Sequence, residues 1–157
     1  MGVHNVHERV LPVSGAEVGL AIDGLSGAGD RLRPRSDWPP MRLDGPPAPG
    51  AAGGHGPVRY TVAAYVPGRW VRFAFHGPRG FDEYTVHPLA PGRTLLRHTP
   101  AMRARGWARL TWPPAFRPLD GAVLEDSLDL AERACAGTVG RPARWSRYVR
   151  LLRRLVR

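Results

Sequence analysis

The side chains best suited to chemistry in this 157-residue chain are two phenols and an imidazole, Tyr60, Tyr84 and His98. Each falls at the inward position of a strand-like alternation. Val58, Tyr60, Val62 and Ala64 share one face, as do Val71, Phe73 and Phe75, then Tyr84 and Val86, then Leu96, His98 and Met102. A buried phenol or imidazole must find a hydrogen-bond partner. Either a backbone carbonyl satisfies it, and the residue is structural, or the polar end of a bound molecule does; an imidazole so placed can also move a proton. Other chemistry fails on geometry. His4 and His7 point to opposite faces of a strand, and His55, His76 and His87 lack a Cys or acidic partner at ligand spacing, so no metal site is expected. Gly24-Leu25-Ser26-Gly27-Ala28 approaches a nucleophile elbow, but a helix precedes it where that motif needs a strand. Asp82 and Glu83 are strand neighbours facing opposite ways, so they make no acid/base pair. Cys135 lies on the apolar seam of a helix, where a thiol is inert packing. Neither a phosphate-cradling glycine loop nor a dinucleotide fingerprint occurs, and no cofactor is expected.

These residues need elements to position them. Val3 to Leu11 reads as a strand ended by Pro12, and Ser14-Gly-Ala-Glu17 is a capping box opening a short helix whose Val18, Ala21, Ile22 and Leu25 share one face. Residues 27–57 carry 14 Gly or Pro among 31 and predict an irregular excursion, a lid or a disordered loop, with at most one short strand near Met41–Asp44. Trp38, a large aromatic within it, is expected to plug an interior. From Val58 four strands follow, separated by turns at Pro67-Gly68, Gly77–Gly80 and Pro91-Gly92, which predicts an antiparallel meander with one apolar face. A helix over 119–137 covers it. Its seam is Leu124, Leu128, Ala131 and Cys135, Glu125, Asp129, Glu132 and Arg133 take the opposite arc, and Gly137 stops it. The layout is α+β.

The strand Asn5-Val-His-Glu-Arg-Val-Leu-Pro12, the capped helix from Ser14, Asp37-Trp38, the hairpin from Val58 through Pro67-Gly68 to Phe73, Arg97-His98 and the helix around Leu124-Glu-Asp126 carry a likeness to a known family. Over roughly residues 3–137 the chain resembles the START-like helix-grip superfamily (SRPBCC), particularly bacterial polyketide cyclase or dehydrase-like members. The resemblance implies a curved antiparallel sheet wrapped around a long C-terminal helix, with an apolar cavity between them for a lipid, polyketide or aromatic ligand. Trp38, Tyr60, Phe73, Phe75, Tyr84, His98, Met102 and Leu128 are the expected ligand-binding residues, and no catalytic residue is assigned. The expected function is sequestration or delivery of a hydrophobic small molecule. A cyclase or dehydrase-type reaction on a polyketide-like substrate, and an interaction module using the tail, are the alternatives. Two features depart from the pattern: Gly19-Leu20 stands where many relatives place a bulky aromatic, and the chain runs some 20 residues past the closing helix.

That extension carries most of the charge. All 23 basic residues are Arg, and the net charge is +10. Seven Arg and no acid lie in residues 138–157, which leaves 16 Arg against 13 acids in the body. Residues 1–137 therefore read as a helix-grip domain and 138–157 as a basic amphipathic tail. Tyr148, Val149, Leu151, Leu152, Leu155 and Val156 take one helical face, and Arg147, Arg150, Arg153, Arg154 and Arg157 the other. Such a helix lies on an anionic membrane, docks a protein partner, folds back on its own domain or stays disordered. The body has no basic stripe with interleaved aromatics, which argues against nucleic acid. A single cysteine, no apolar run of about 18 residues and no secretory leader make a cytoplasmic location the expectation.

Overall fold

The computed structural model of the chain describes residues 1–155. Its strands are β1 (Gly2–His4), β2 (His7–Leu11), β3 (Arg42–Leu43), β4 (Ala52–His55), β5 (Val58–Val66), β6 (Trp70–Phe75), β7 (Gly80–Ala90) and β8 (Arg93–Arg103). Its helices are α1 (Gly15–Asp23), α2 (Ala108–Thr111), α3 (Arg117–Ala136) and α4 (Arg147–Leu155), with a π-helical turn at Trp112–Phe116 running into α3. One antiparallel sheet holds all the strands in the order β1-β8-β7-β6-β5-β4-β3, and β2 pairs with β8 beyond β1.

The meander from β5 to β8 follows the expected alternation except at Ala64, which shares the outer face of Arg72 while Tyr65, opposite the buried Val71, turns to the core. Gly68 and Gly92 turn its hairpins at φ of +68°, a conformation that favours glycine. A register shift between Val62 and Ala64 marks a bulge in β5, the device by which a strand bends over a core. Three further features differ from the sequence reading. The first strand is two strands, interrupted at Asn5-Val6, where the Asn5 N–H donates to the Pro100 carbonyl at 3.1 Å. The long excursion contributes two strands, not at most one, because β4 pairs with both β3 and β5. Helical structure begins at Ala108, ahead of the prolines at 113 and 114, which sit in the π-helical turn, while Pro118 occupies the first turn of α3.

Helix α3 ends as its sequence requires, with Gly137 at φ +76° and its N–H on the Arg133 carbonyl. Its seam residues Leu128 and Ala131 join Leu11, Ile22, Tyr60, Phe73, Tyr84 and Leu96 in the main apolar core. The opposite arc faces β2 rather than open water. Arg9 on β2 takes Glu132 at 2.6 Å, Asp129 at 2.9 Å and Glu125 at 3.0 Å, His7 meets Glu125 as well, and Asn5 donates to Asp120 at 2.8 Å.

The tail folds back on the body. Trp145 donates to Asp126 of α3 at 2.9 Å, the Ala143 N–H donates to Asp129 at 2.7 Å, and Val149 is buried. Arg153 leaves the outer basic arc: its Nε donates to the Asp37 carbonyl at 2.9 Å, and its guanidinium lies 5.1 Å from the centre of the Trp38 ring. Val156 and Arg157, expected on this helix, lie outside the described residues.

Gly19, one of the departures noted in the sequence, has a steric reason. A Cβ there would stand 2.4 Å from the Gly68 carbonyl oxygen, so the missing side chain lets α1 close onto the β5–β6 turn. Asp23 fastens the same contact by accepting from the Gly68 N–H and the Tyr65 hydroxyl, both at 2.7 Å. Alanine is the better helix former by about 1 kcal/mol, yet overpacking costs ~1–3 kcal/mol. Gly19→Ala is therefore expected to lower the denaturation midpoint; an unchanged or higher midpoint would show that α1 can back away from the turn at no cost.

Candidate functional site

Polar side chains collect where α3 crosses the concave face of the sheet. Asp82 and Tyr84 are inward on β7, and Tyr84 lies directly opposite His98 on β8. The Tyr84 and His98 rings stack with centroids 3.8 Å apart, 22° from parallel. His98 Nε2 meets Asp82 Oδ1 at 2.8 Å, and both residues are buried. His98 Nδ1 has no partner. The Tyr84 hydroxyl lies 3.1 Å from Ser127 on α3, and Ser127 donates to the Leu32 carbonyl in the segment between α1 and β3. Tyr60 packs its ring 5.0 Å from Phe73, and its hydroxyl lies 3.4 Å from Nδ1 of His55 on β4.

Arg33 completes the group. It is 3% exposed, its Nε has no hydrogen-bond partner, and among the described residues no carboxylate forms an ion pair with it. Its charge nevertheless reaches the whole cluster. Burial works against the Asp82 carboxylate, but His98 and then Arg33 outweigh it and hold its pKa below the usual value. Burial raises the phenol pKa values of Tyr60 and Tyr84, and Arg33 opposes that rise at both. Burial, followed by the Arg33 charge, pushes His55 down to about 3, so its imidazole is neutral at physiological pH.

The expected ligand residues divide by position. Tyr60, Phe73, Tyr84 and Leu128 belong to the main core and have no exposed surface, so no space the size of a water molecule lies against them; His98 is 1% exposed. Phe75 packs half-buried at the edge of that core, and Met102 is half-buried near the far end of β8. Trp38 sits in a second cluster with Val123 and Leu124, its indole N–H donating to Asp126 at 2.7 Å and its ring 5.4 Å from Trp145. Residues 24–41 are thus ordered across α3 and the sheet, with Leu25, Leu32 and Met41 in the core and the amides of Leu32 and Arg33 turned onto Asp30. The cluster has an outward end. A surface concavity of about 570 Å³ between Pro40, Arg42, β4 and Arg59 is lined by His55, the residue that reaches Tyr60 inside. A second concavity, of about 390 Å³, lies between α1 and the β5–β6 turn, away from the cluster.

Asp82, Arg33, His55 and Ser127 were not among the expected site residues. Asp82 shares its parity with Tyr84, and the Pro91-Gly92 turn brings that face onto His98, so pairing across the hairpin rather than within one strand would have found it. Ser127 sits one position before Leu128 and three after Leu124, a polar residue within an apolar seam. Arg33 and His55 lie in the aperiodic excursion, where no sequence period states which way a side chain points.

A protein from Thermobifida fusca solved by solution NMR superposes with a TM-score of 0.69 at 14% identity, over 89% of this chain and 99% of that one. A START superfamily protein from Mycobacterium smegmatis gives 0.61 at 11% identity, over 85% and 97%. The chain has the START-like helix-grip fold. A norcoclaurine synthase point mutant from Thalictrum flavumn, bound to a transition state analogue, shares it with a TM-score of 0.58 at 12% identity, over 82% and 95%. At these identities the likeness is one of fold. No family model and no curated protein matches the sequence, and no helix among the described residues is long and apolar enough to cross a membrane.

The neutral state of His55 sets a pH dependence. Its folded value of about 3 lies below the 6.5 of an ordinary histidine, so between these values the unfolded chain binds a proton that the folded chain refuses. Stability therefore falls as the pH is lowered from about 6.5 toward 3. Asp82 adds a loss in the same direction, but only below its ordinary 3.8. Replacing His55 with Gln should flatten the denaturation midpoint between pH 6.5 and 4; a slope that survives the substitution would assign the acid sensitivity elsewhere.

Proposed function

We propose that the chain binds a hydrophobic small molecule carrying an anionic or strongly hydrogen-bonding end group, between the concave face of the sheet and α3. The observation that carries this reading is Arg33, which is 3% exposed, has an unpartnered Nε and is ion-paired with no carboxylate among the described residues. A charge withdrawn from water without an ion pair or hydrogen bond is costly, and Asp82 offsets that of Arg33 only through space. A ligand carboxylate, phosphate or enolate offsets it, with the Tyr60 and Tyr84 hydroxyls as further donors and the Phe73, Leu128 and Trp38 side chains around the apolar part. The interior is closed in this structure, so entry requires residues 24–41 to lift from α3, beginning at the concavity that His55 lines.

A second reading rests on the His98–Asp82 pair. Asp82 accepts from Nε2 and so directs the lone pair of a neutral imidazole to Nδ1, the arrangement of a general base with its orienting carboxylate. In that reading the bound molecule undergoes a proton transfer of the cyclase or dehydrase kind. His98→Gln then leaves binding intact and removes turnover.

The binding reading makes opposed predictions for stability and affinity. Arg33→Met exchanges an unpaired buried charge for an apolar side chain of similar length, and should stabilise the empty protein by ~1 kcal/mol or more. Thermal shifts with a long-chain fatty acid, its methyl ester and a hydroxylated polycyclic aromatic should show stabilisation of about 2.7 kcal/mol at a hundredfold excess over Kd for an acceptor, with acid preferred to ester in the wild type and the preference lost in Arg33→Met. Native mass spectrometry of the purified chain should reveal a co-purifying hydrophobic species. A consistently empty protein that none of these compounds stabilises, or an Arg33→Met variant that unfolds, would defeat the reading.

A further inference from the structure

The structure leaves a second surface unaccounted for, formed where α4 lies beside the helical stretch that precedes α3. Trp107 is 79% exposed, and Leu110 and Phe116 are exposed on the same stretch. Tyr148, Leu151 and Leu155, also exposed, recur at i, i+3 and i+7 on α4, while Val149 and Arg153 face the body. The Tyr148 hydroxyl donates to the Pro114 carbonyl at 2.6 Å, which holds α4 against the helical stretch that carries Trp107, Leu110 and Phe116. Its charge is of one sign. Residues 104–118 contain Arg105, Arg109 and Arg117 and no acid, and α4 adds the exposed Arg147, Arg150 and Arg154, again with no acid. A patch of Trp, Phe, Tyr and Leu at this exposure is uncommon on a monomer and marks an interaction site.

We propose that this combined face docks on an anionic lipid bilayer. Charge complementarity selects the partner: arginines flank the apolar rows, the order in which a membrane presents phosphates above acyl chains. Trp107 and Tyr148 have the amphipathic rings that settle at headgroup depth. A nucleic acid would use the arginines but has no use for exposed Leu110, Leu151 and Leu155. The proposal stands whether or not the interior binds a ligand.

Vesicle co-flotation of the full chain tests it. Binding is expected to vesicles of phosphatidylcholine with roughly one-third phosphatidylglycerol, weak to phosphatidylcholine alone, and falling with added salt. Arg147→Gln, Arg150→Gln and Arg154→Gln together should weaken binding by about a hundredfold and flatten the salt dependence. Trp107→Ala with Leu110→Ala, which touches nothing on α4's own contacts with the body, should weaken it at least tenfold with an unchanged denaturation midpoint. Equal binding to both vesicles, no binding, or binding that the Trp107 and Leu110 changes leave intact would overturn the proposal. So would a dimer that these substitutions dissociate, which would make the face a self-association surface, or duplex DNA binding that depends on the arginines alone.

Discussion

The placement of α3 rests on Arg9. One guanidinium on β2 takes carboxylates from three successive turns of the helix, Glu125, Asp129 and Glu132, and these groups are at least partly withdrawn from water. Burial works against the charge of Arg9, but the carboxylates outweigh it and hold its pKa up. Such an array fixes position more than it adds stability, because most of its attraction is spent on desolvation. What it fixes is rotation. With the acidic arc turned to β2, Leu128 enters the core, Ser127 meets Tyr84 and Leu32, and Asp126 is presented to the indoles of Trp38 and Trp145. A helix rolled by one residue would carry Ser127 and Asp126 away from every one of these partners.

That rotation also explains how so polar a group is held inside. Asp82, Tyr84, Ser127 and Tyr60 each meet a side chain or carbonyl of another element, so the sheet, α3 and residues 24–41 are stitched through side chains rather than through a purely apolar seam. Two atoms of this cluster, His98 Nδ1 and Arg33 Nε, have no hydrogen-bond partner among the described residues and lie in the same interior as the Asp82 carboxylate. Unsatisfied polar atoms in a native core call for a reason. A packing role does not supply one, since Leu or Met would fill the space of Arg33 without the cost of its charge.

Local grammar was legible. The Ser14–Glu17 capping box forms with both of its hydrogen bonds, the meander appears with its alternation, and the Leu124–Leu128–Ala131 seam is buried. What escaped was set by tertiary contact. Ala52-Gly-Gly-His carries no β-branched signal and is a strand because its main chain pairs on both sides, so closely that a Cβ on Gly53 would stand 1.9 Å from the Arg42 carbonyl oxygen. Asp82 is legible by parity, but its partner lies on the facing strand and not at the adjacent Glu83. Arg33 had no signal at all, because the direction of a side chain in an irregular segment is decided by Asp30, which holds its amide, and by Ser127, which holds the preceding carbonyl. Fold was therefore readable from period and punctuation, and the site only in part, since Arg33 and His55 lie on chain without a period.

The two surfaces of α4 connect the interior to the outside. Arg153 on its inner side holds the Asp37 carbonyl, Trp145 just ahead of the helix packs against Trp38, and residues 24–41 so held carry Leu32 and Arg33 over the polar cluster. Its outer side is the exposed apolar row. The grip is made of a few contacts each worth on the order of 1 kcal/mol, a cation over an aromatic ring and an edge-to-face aromatic pair. A surface can shift such an equilibrium only by the difference in its affinity for the gripped and released states. An outer face that binds better when α4 is drawn away from the body has that difference available, because movement of the helix takes Arg153 off the Asp37 carbonyl and the Trp38 ring. The extension past the closing helix, which in the sequence is a run of arginines, thus stands in the fold as the element through which an outside surface can reach the segment that closes the core.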